Sequence, residues 1–375
     1  MALKKLTYFE YKDDPRYWAL ESLDFTESNL IVGRNATGKT RLVHVITGLM
    51  QMLAGTKIGA LDSGSYVAEF HVAGRSYIYE IAFHRRTVVK EKLLVDGRVR
   101  LERSEDGKGR IHYAKEGTDL DFEVELSAIA FQSRRDRLQH PFITDLADWA
   151  ASSATYMFGS EMGRNTLAML MTAQTASKEL EQEDPNNALA TYIEGFKKYR
   201  DAFDKAIIED MIEMGFPLRE VHAKPLDPSV AASSQGQLTA LTVAEDGLSV
   251  EIPQIFISQG MYRALALTIK LNWAMFSNRK GLLVIDDLGE GLDYERACAV
   301  VKMTMEKAKA SGSQVIITSN DRFVMNSVPL ESWVVLQRQG GTVRAFTPRN
   351  STEQFENFRF TGLSNFDFFT SQAFH

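Results

Sequence analysis

The clearest periodic pattern in the chain is an apolar stripe in residues 41–53. Its apolar residues follow one another at intervals of three or four, which is the spacing of one face of an α-helix. They are Leu42, Val45, Ile46, Leu49 and Leu53. A short apolar run at 29–32 precedes this stripe, and a glycine-containing loop separates the two. The pattern therefore predicts a strand, a loop and a helix, in that order.

Residues 65–126 follow a different pattern, in which apolar and polar residues alternate. Alternating runs such as 66–72 and 76–83 predict β-strands, and the dipeptides Ala73-Gly74 and Asp96-Gly97 predict tight turns between strands. We therefore expect an antiparallel β meander in this region. Another apolar segment follows at 128–132 and is expected to be one more strand.

The middle of the chain predicts a compact helical lobe. Apolar residues in 141–221 again recur at intervals of three or four. The turn residues of 183–187 are expected to separate two helices. Residues 223–237 are rich in Pro, Ala, Ser and Gln, which is typical of a flexible or lid-like connector.

Regular α/β character returns in the last third of the chain. The continuous apolar runs 282–285 and 315–317 predict parallel strands that are covered on both faces. A helix is expected between them at 294–310. Segments 333–337 and 342–346 are expected to form a hairpin that turns at Gly340-Gly341.

The chain is predicted to be an α/β protein with a discontinuous nucleotide-binding domain. Its mixed sheet and β meander would be interrupted by the helical lobe, because the glycine-containing loop lies near the N-terminus and its chemical partners lie beyond residue 255. The predicted divisions are as follows: 1–140 and 238–350 for the two parts of this domain, 141–237 for the lobe and connector, and 351–375 for an aromatic tail.

Composition narrows the range of functions. The 375 residues carry a formal net charge of −6, which does not indicate nucleic-acid binding, although basic clusters such as 134–137 leave such contact open. The one cysteine, Cys298, forms no disulfide within the chain, as is typical of cytoplasmic proteins. No apolar run approaches the roughly 20 residues that span a bilayer, so no membrane association is expected.

The glycine-containing loop matches the phosphate-binding pattern Gly-x-x-x-x-Gly-Lys-Ser/Thr without a mismatch. Its residues are Gly33, Arg34, Asn35, Ala36, Thr37, Gly38, Lys39 and Thr40. Backbone N–H groups of such a loop turn towards phosphate oxygens, and the helix N-terminus adds a favourable dipole. Lys39 is expected to bind the β- and γ-phosphates of ATP, and the hydroxyl of Thr40 to bind Mg²⁺. The alternative is a glycine-rich turn that binds nothing.

The apolar run 282–285 ends in two acidic residues, Asp286 and Asp287. A buried parallel strand would deliver them to the carboxyl edge of the sheet, where open α/β folds bind ligands. Asp286 is expected to hold Mg²⁺ through water, and Asp287 to orient or deprotonate the attacking water. The alternative is a pair of solvated aspartates that only cap the strand.

With both elements present, the chain resembles the ABC-type ATPases of the RecF, SMC and OLD group. The resemblance is specific over 29–53 and 255–322 and looser over the β meander. It implies a P-loop ABC-type ATPase fold and a head-to-tail pair of subunits that sandwich ATP between them. The long coiled-coil arm of SMC proteins is excluded, because the middle segment is short and is interrupted by Pro185 and Pro217.

The resemblance assigns roles to further residues. Segment 257–261 resembles the signature motif, so Ser258 and Gly260 would bind the γ-phosphate of a nucleotide held by a second subunit. The alternative for Ser258 is an ordinary helix N-cap. Asp293 takes the place of the D-loop aspartate at the subunit interface. Gln132 takes the place of the Q-loop glutamine, which lies beside the nucleotide and Mg²⁺.

Two positions depart from the pattern of the group. The catalytic glutamate is replaced by the shorter Asp287, and the switch histidine by Asn320, whose amide accepts no proton at neutral pH. Both changes predict slow hydrolysis.

The resemblance favours an ATP-dependent switch that controls a partner effector, a nuclease or toxin, in antiviral defence. The alternatives are a RecF-like DNA-repair ATPase and a scaffold that binds ATP with little turnover.

The aromatic C-terminal segment has two interpretations, which are packing on its own ATPase body and docking of a partner. Packing on its own body is favoured, since apolar tails usually bury locally. Its phenylalanines are Phe355, Phe358, Phe360, Phe366, Phe368, Phe369 and Phe374.

Overall fold

The protein is described here by a computed structural model. The described residues are 2–57, 59–160, 164, 168–169, 187–226, 238–359, 361 and 363–370. The strands are β1 (Ala2–Glu10), β2 (Trp18–Asp24), β3 (Ser28–Gly33), β4 (Ser63–Val72), β5 (Arg75–His84), β6 (Thr87–Val95), β7 (Arg98–Arg103), β8 (Lys108–Tyr113), β9 (Thr118–Glu123), β10 (Ala154–Met157), β11 (Ala168–Met169), β12 (Leu218–Pro225), β13 (Leu238–Glu245), β14 (Ile252–Pro253), β15 (Leu282–Asp286), β16 (Gln314–Thr318), β17 (Trp333–Gln339) and β18 (Thr342–Phe346).

The helices surround a large mixed sheet. They are α1 (Lys39–Ala54), α2 (Ala130–Ser133), α3 (Pro141–Ala151), α4 (Ala188–Tyr199), α5 (Asp201–Glu213), α6 (Gln259–Phe276), α7 (Tyr294–Ser311), α8 (Arg322–Ser327), α9 (Thr352–Arg359) and α10 (Asn365–Thr370), with a 3₁₀ turn at Leu330–Ser332. The sheet has the strand order β10-β15-β16-β3-β17-β18-β2-β1-β4-β5-β6-β7-β8-β9. The mixed α/β fold with a β meander is therefore confirmed.

One half of this sheet is parallel and buried on both faces. Strands β10, β15, β16, β3 and β17 run parallel to one another. Along β15, Leu282 and Val284 face one apolar layer while Leu283 and Ile285 face the other. The continuous apolar runs predicted from sequence have this cause, because each face of the strand is covered.

The two layers belong to different helices. Helices α1 and α3 pack on one face together with the meander. Helices α4, α5, α6 and α7 pack on the opposite face. The helix that follows the glycine-containing loop and the helix that follows Ser258 therefore lie on opposite sides of the sheet.

The predicted meander is confirmed as β4 to β9, and its turns show why sequence located them. Both residues of Ala73-Gly74 and of Asp96-Gly97 have positive φ, as two-residue hairpins require. A third such turn was not predicted. Arg85 and Arg86 have φ of 48° and 61° between β5 and β6, although arginine carries no turn signal.

The inserted lobe begins later than predicted. Helix α3 shares the apolar layer of α1, and β10 pairs with β15 in the main sheet. The boundary at 141 is therefore wrong, because residues 141–157 belong to the main body. Within its described part, the lobe consists of α4 and α5 and a small antiparallel sheet in which β13 pairs with β11, β12 and β14. The lobe is thus only partly helical.

Only the beginning of the predicted connector 223–237 is described, and that part is mostly strand. Residues 223–225 are the end of β12, which pairs with β13. Residues 227–237 lie outside the described residues, so the lid-like connector stays a prediction.

The C-terminal segment packs on its own body, as the favoured interpretation predicted. The ring of Phe368 is fully buried, and its centroid lies 4.8 Å from that of Phe355 and 4.7 Å from that of Phe358. Trp333, the first residue of β17, contacts the same ring at 6.3 Å. Phe360 and Phe374 lie outside the described residues. Along the part of the chain that the structure describes, no helix is both long and apolar enough to cross a bilayer.

Candidate nucleotide-binding site

The glycine-containing loop connects the end of β3 to the start of α1. Its tight shape depends on two glycines. A Cβ atom at Gly33 would lie 2.5 Å from the hydroxyl oxygen of Thr37. Gly38 has φ of 104°, a conformation that favours glycine, and its Cα faces the ring of the buried Trp18. The predicted strand, loop and helix are confirmed.

The side chain of Lys39 lies inside the loop. Its ammonium group donates a hydrogen bond of 2.8 Å to the carbonyl oxygen of Gly33, and the residue is only 7% exposed. Burial lowers the pKa of Lys39, while the negative charges of Asp287 and Asp286 act in the opposite direction. A buried cation on a backbone carbonyl is suited to exchange that partner for a phosphate oxygen. Thr40 is exposed at the start of α1.

The parallel strands bring acidic residues to the same edge as the loop. Asp286 ends β15 and Thr318 ends β16, which is the strand between β15 and β3. The hydroxyl of Thr318 donates to a carboxylate oxygen of Asp286 at 2.6 Å and accepts from the backbone N–H of Asp287 at 2.9 Å. This buried hydroxyl therefore orients the carboxylate of Asp286 and holds the backbone of Asp287.

Asp287 occupies a strained position in an acidic environment. Its φ of 53° is left-handed, which is uncommon outside glycine, although aspartate tolerates it better than most residues. Burial raises the pKa of its carboxyl group, and the charges of Asp286 and Glu290 raise it further against the effect of Lys39. The carboxylate thus holds a proton more strongly than an ordinary aspartate does.

The loop after β16 contacts the glycine-containing loop directly. The amide of Asn320 donates a 2.9 Å hydrogen bond to the side-chain oxygen of Asn35. The exposed Arg338 of β17 donates to the carbonyl oxygen of Ala36 at 3.3 Å. The structure therefore brings the loop 33–40, Asp286, Asp287 and Asn320 together at one edge.

Gln132 does not reach this edge. Its amide donates to the carbonyl oxygens of Met52 and Lys57, each at 2.8 Å, at the far end of α1. Lys39 and Met52 are separated by 13 helical steps of about 1.5 Å, so that end is about 20 Å from the loop. The predicted role of Gln132 beside nucleotide and Mg²⁺ is wrong in this geometry.

The misassignment of Gln132 has a local cause. Segment 130–133 is a short helix rather than the end of a strand. The buried carboxylate of Glu91 accepts the backbone N–H groups of Ala130 and Phe131 at 2.7 and 2.8 Å and so caps this helix.

The strand that does end beside Asp286 and Asp287 is β10. Met157 pairs with Asp286, and Gly159 follows two residues later. A Cβ atom at Gly159 would lie 2.5 Å from a carboxylate oxygen of Glu290 and 3.1 Å from the Cβ of Asp287. Gly159 and Glu290 were not among the predicted site residues. The only sequence signal for them was their proximity to turns.

Ser258 and Gly260 lie at the start of α6, and Asp293 precedes α7. Ser258 is exposed and accepts from the N–H of Met261 at 3.3 Å, so it is an N-cap of α6. Asp293 is exposed and caps α7 by accepting from the N–H of Arg296 at 3.1 Å. That backbone hydrogen bond lowers the pKa of Asp293 most, with the Arg296 side chain adding to it. Both side chains therefore act as helix caps in this structure, and their role at a subunit interface stays a proposal.

The residues at this edge of the sheet match the groups that bind a nucleotide and a magnesium ion. The loop has backbone N–H groups at a helix start, a buried lysine and an exposed threonine, which suit a triphosphate. The carboxylate of Asp286 faces the same edge and offers the oxygen ligand that Mg²⁺ prefers. The residues present therefore fit both groups.

Comparison with known proteins supports the fold. No family model matches the chain, and no curated protein matches it. Among solved structures, an SMC head bound to the C-terminal winged-helix domain of ScpA matches with a TM-score of 0.56 and 12% identity, covering 94% of this chain and 100% of that one. An SMC head domain with an extended coiled coil, bound to the C-terminal domain of ScpA derived from Pyrococcus furiosus, matches with a TM-score of 0.51 and 12% identity, covering 95% and 99%. The chain therefore has the ABC-type ATPase fold of SMC head domains.

Proposed function

We propose that this protein is an ATPase that binds Mg²⁺–ATP at the loop 33–40 and hydrolyses it slowly. One observation carries the proposal, which is the meeting of a buried lysine, an exposed threonine and a strand-end aspartate at one edge of a parallel sheet. Lys39 would exchange the carbonyl of Gly33 for the β- and γ-phosphate oxygens. Thr40 and Asp286 would hold Mg²⁺, which neutralises phosphate charge when it is bound.

Slow turnover follows from the groups around the attacking water. Asp287 is one methylene shorter than glutamate and would orient or deprotonate that water. Asn320 hydrogen-bonds Asn35 of the phosphate-binding loop. Its amide would contact the loop but would not accept a proton from the attacking water. Both features favour holding ATP for long periods over rapid catalysis.

We also propose that ATP drives self-association through the surface around Ser258 and Asp293. Two large apolar side chains flank these residues: Phe256 is 63% exposed and Tyr294 is 59% exposed. Aromatic residues of this kind dominate the energy of protein interfaces. Ser258 and Gly260 would contact the γ-phosphate of ATP held by the second copy.

The wider role proposed is a cytoplasmic switch that controls a partner protein. SMC heads with this fold bind ScpA, which supports a protein partner for this chain. An effector in antiviral defence rests on the sequence resemblance alone. Purification of the native protein, with identification of whatever protein accompanies it, tests this part.

Phosphate release separates an enzyme from a scaffold. We expect the wild type to release phosphate slowly, and both Lys39→Ala and Asp287→Asn to release none above background. Asp287→Asn should still bind ATP, because Lys39 and Asp286 are unchanged. Equal release by all three proteins would contradict the proposal.

A further inference from the structure

The guanidinium group of Arg263 is buried between the start of α6 and two loops. Arg263 lies in the first turns of α6 and is 5% exposed. It donates to the carbonyl oxygens of Gly159 at 2.6 Å, Ser160 at 3.0 Å and Glu290 at 2.9 Å. All three acceptors belong to loops at the edge that carries Asp287. One planar side chain therefore joins α6 to both of these loops.

Glycines allow the start of α6 and these two loops to approach one another closely. A Cβ atom at Gly260 would lie 2.9 Å from the carbonyl oxygen of Gly291, and one at Gly291 would lie 3.2 Å from the guanidinium of Arg263. The corresponding atom at Gly159 would collide with the carboxylate of Glu290. Little room therefore separates the start of α6 from these two loops.

A second arginine makes the reciprocal connection. Arg164 follows β10 in the chain and donates to the carbonyl oxygens of Ile255 at 3.0 Å and Ile257 at 2.6 Å. In return, the side-chain amide of Gln254 donates to the carbonyl oxygen of Arg164 at 2.8 Å. The segment after β10 and the segment before α6 therefore hold each other at two points.

We infer that Arg263 is a positioning residue that couples the two nucleotide sites of a self-associated pair. This inference rests on the proposed function. Within one copy, the loops at 159–160 and 287–290 serve the nucleotide bound to that copy. Ser258 and Gly260, three to five residues before Arg263, serve the nucleotide of the second copy. Arg263 connects these two sets of residues. The nucleotide bound to one copy therefore positions the residues that contact the nucleotide of the other copy.

The proposed coupling predicts that replacing Arg263 weakens self-association but leaves nucleotide affinity nearly unchanged. Replacing Arg263 with Met keeps bulk but removes all three hydrogen bonds. Nucleotide affinity should stay within about twofold, because Lys39, Thr40 and Asp286 are not contacted by Arg263. ATP-dependent self-association should weaken roughly tenfold or more, within the usual range of coupling between sites.

The experiment uses the full chain in an Asp287→Asn background, so that ATP persists. Affinity is measured by titration with a fluorescent ATP analogue and Mg²⁺, and association by sedimentation with and without ATP. Arg344→Met is the matched control, since Arg344 is 58% exposed at its side chain and pairs only with Glu21 among its described contacts. The control should match the parent in both measurements.

Each outcome decides the inference. Unchanged association in Arg263→Met would overturn it, and so would an equal loss of nucleotide affinity, which indicates a merely structural role. If Arg263→Met does not fold, Arg263→Lys replaces it, because a single ammonium group cannot span three carbonyls; unchanged association there would also overturn the inference. Failure of the parent protein itself to bind ATP or to associate would contradict the proposed function instead.

Discussion

The hydroxyl of Thr318 donates a 2.6 Å hydrogen bond to the carboxylate of Asp286, which ends the neighbouring strand. Both groups are buried, and the same hydroxyl accepts from the N–H of Asp287. The geometry follows from the parallel register, in which Ile317 of β16 is opposite Ile285 of β15. A proposed Mg²⁺ ligand is thus oriented by a residue of a different strand.

Thr318→Val is expected to weaken Mg²⁺ dependence. Valine keeps the shape of threonine but leaves Asp286 without its donor, and loss of such an orienting group typically lowers metal affinity by about 10–100-fold. The Mg²⁺ concentration that gives half-maximal phosphate release would rise accordingly. Thr318→Ser keeps the hydroxyl and should behave as wild type. Normal Mg²⁺ dependence of the valine variant would contradict this role.

Glu290→Gln is expected to extend activity to lower pH. The negative charge of Glu290 is one of the causes that raise the pKa of Asp287, after burial and Asp286. Asp287 must be deprotonated to accept a proton from water, so the rate falls as pH decreases through its pKa. Removing the charge of Glu290 lowers the pKa of Asp287 and moves the acid limb of the pH–rate profile towards lower pH. Turnover measured across the acid pH range tests this prediction, with Glu295→Gln at an exposed position as the control. An acid limb that stays at the same pH or moves to higher pH would count against it.

Phe256→Ala and Tyr294→Ala are expected to weaken ATP-dependent self-association without changing ATP affinity. Truncation of a central interface aromatic commonly costs about 2 kcal/mol or more, which is roughly a thirtyfold change in the dissociation constant. Leu138→Ala is the control, because Leu138 is 84% exposed beside α3, which packs on the other face of the sheet. Sedimentation of the three variants in the Asp287→Asn background gives the answer. Equal association of all three would place the interface elsewhere.

Phe368→Ala is expected to destabilise the fold by about 3–5 kcal/mol, the usual cost of deleting a buried phenyl ring. The ring is fully buried against Phe355 and Phe358. Leu363→Ala, at a position that is 58% exposed, should leave the free energy of unfolding nearly unchanged. Urea unfolding compares the two. Wild-type stability of Phe368→Ala would favour a docking role for the segment instead.

Sequence patterns located the elements whose surroundings are uniform. Residues 282–285 are apolar because both faces of β15 are covered, and the helical stripe of 41–53 faces a single layer. Strand β10 was missed because it has four residues and lies within a region of helical spacing. Such a short strand is defined by its pairing with β15, which no local pattern records.

The residues whose surroundings the sequence did not predict depend on distant contacts. Gln132 was misplaced because Glu91, 39 residues before Ala130, caps a helix where a strand was expected. Arg263 did carry a signal, since it is a charged residue within an otherwise apolar stretch of α6. Its three partners, however, come from loops about 27 and 104 residues away in sequence.

Titration of the full chain with Mg²⁺–ATP, for wild type and Lys39→Ala, tests most directly whether a triphosphate is held by the loop 33–40. We expect saturable binding by the wild type and affinity lower by about a hundredfold or more in the variant, because a buried charged hydrogen bond to phosphate is lost. The exposed Lys108→Ala on β8 should bind as wild type does. Equal affinity of wild type and Lys39→Ala, or no binding by the wild type at millimolar ATP, would contradict the proposed site.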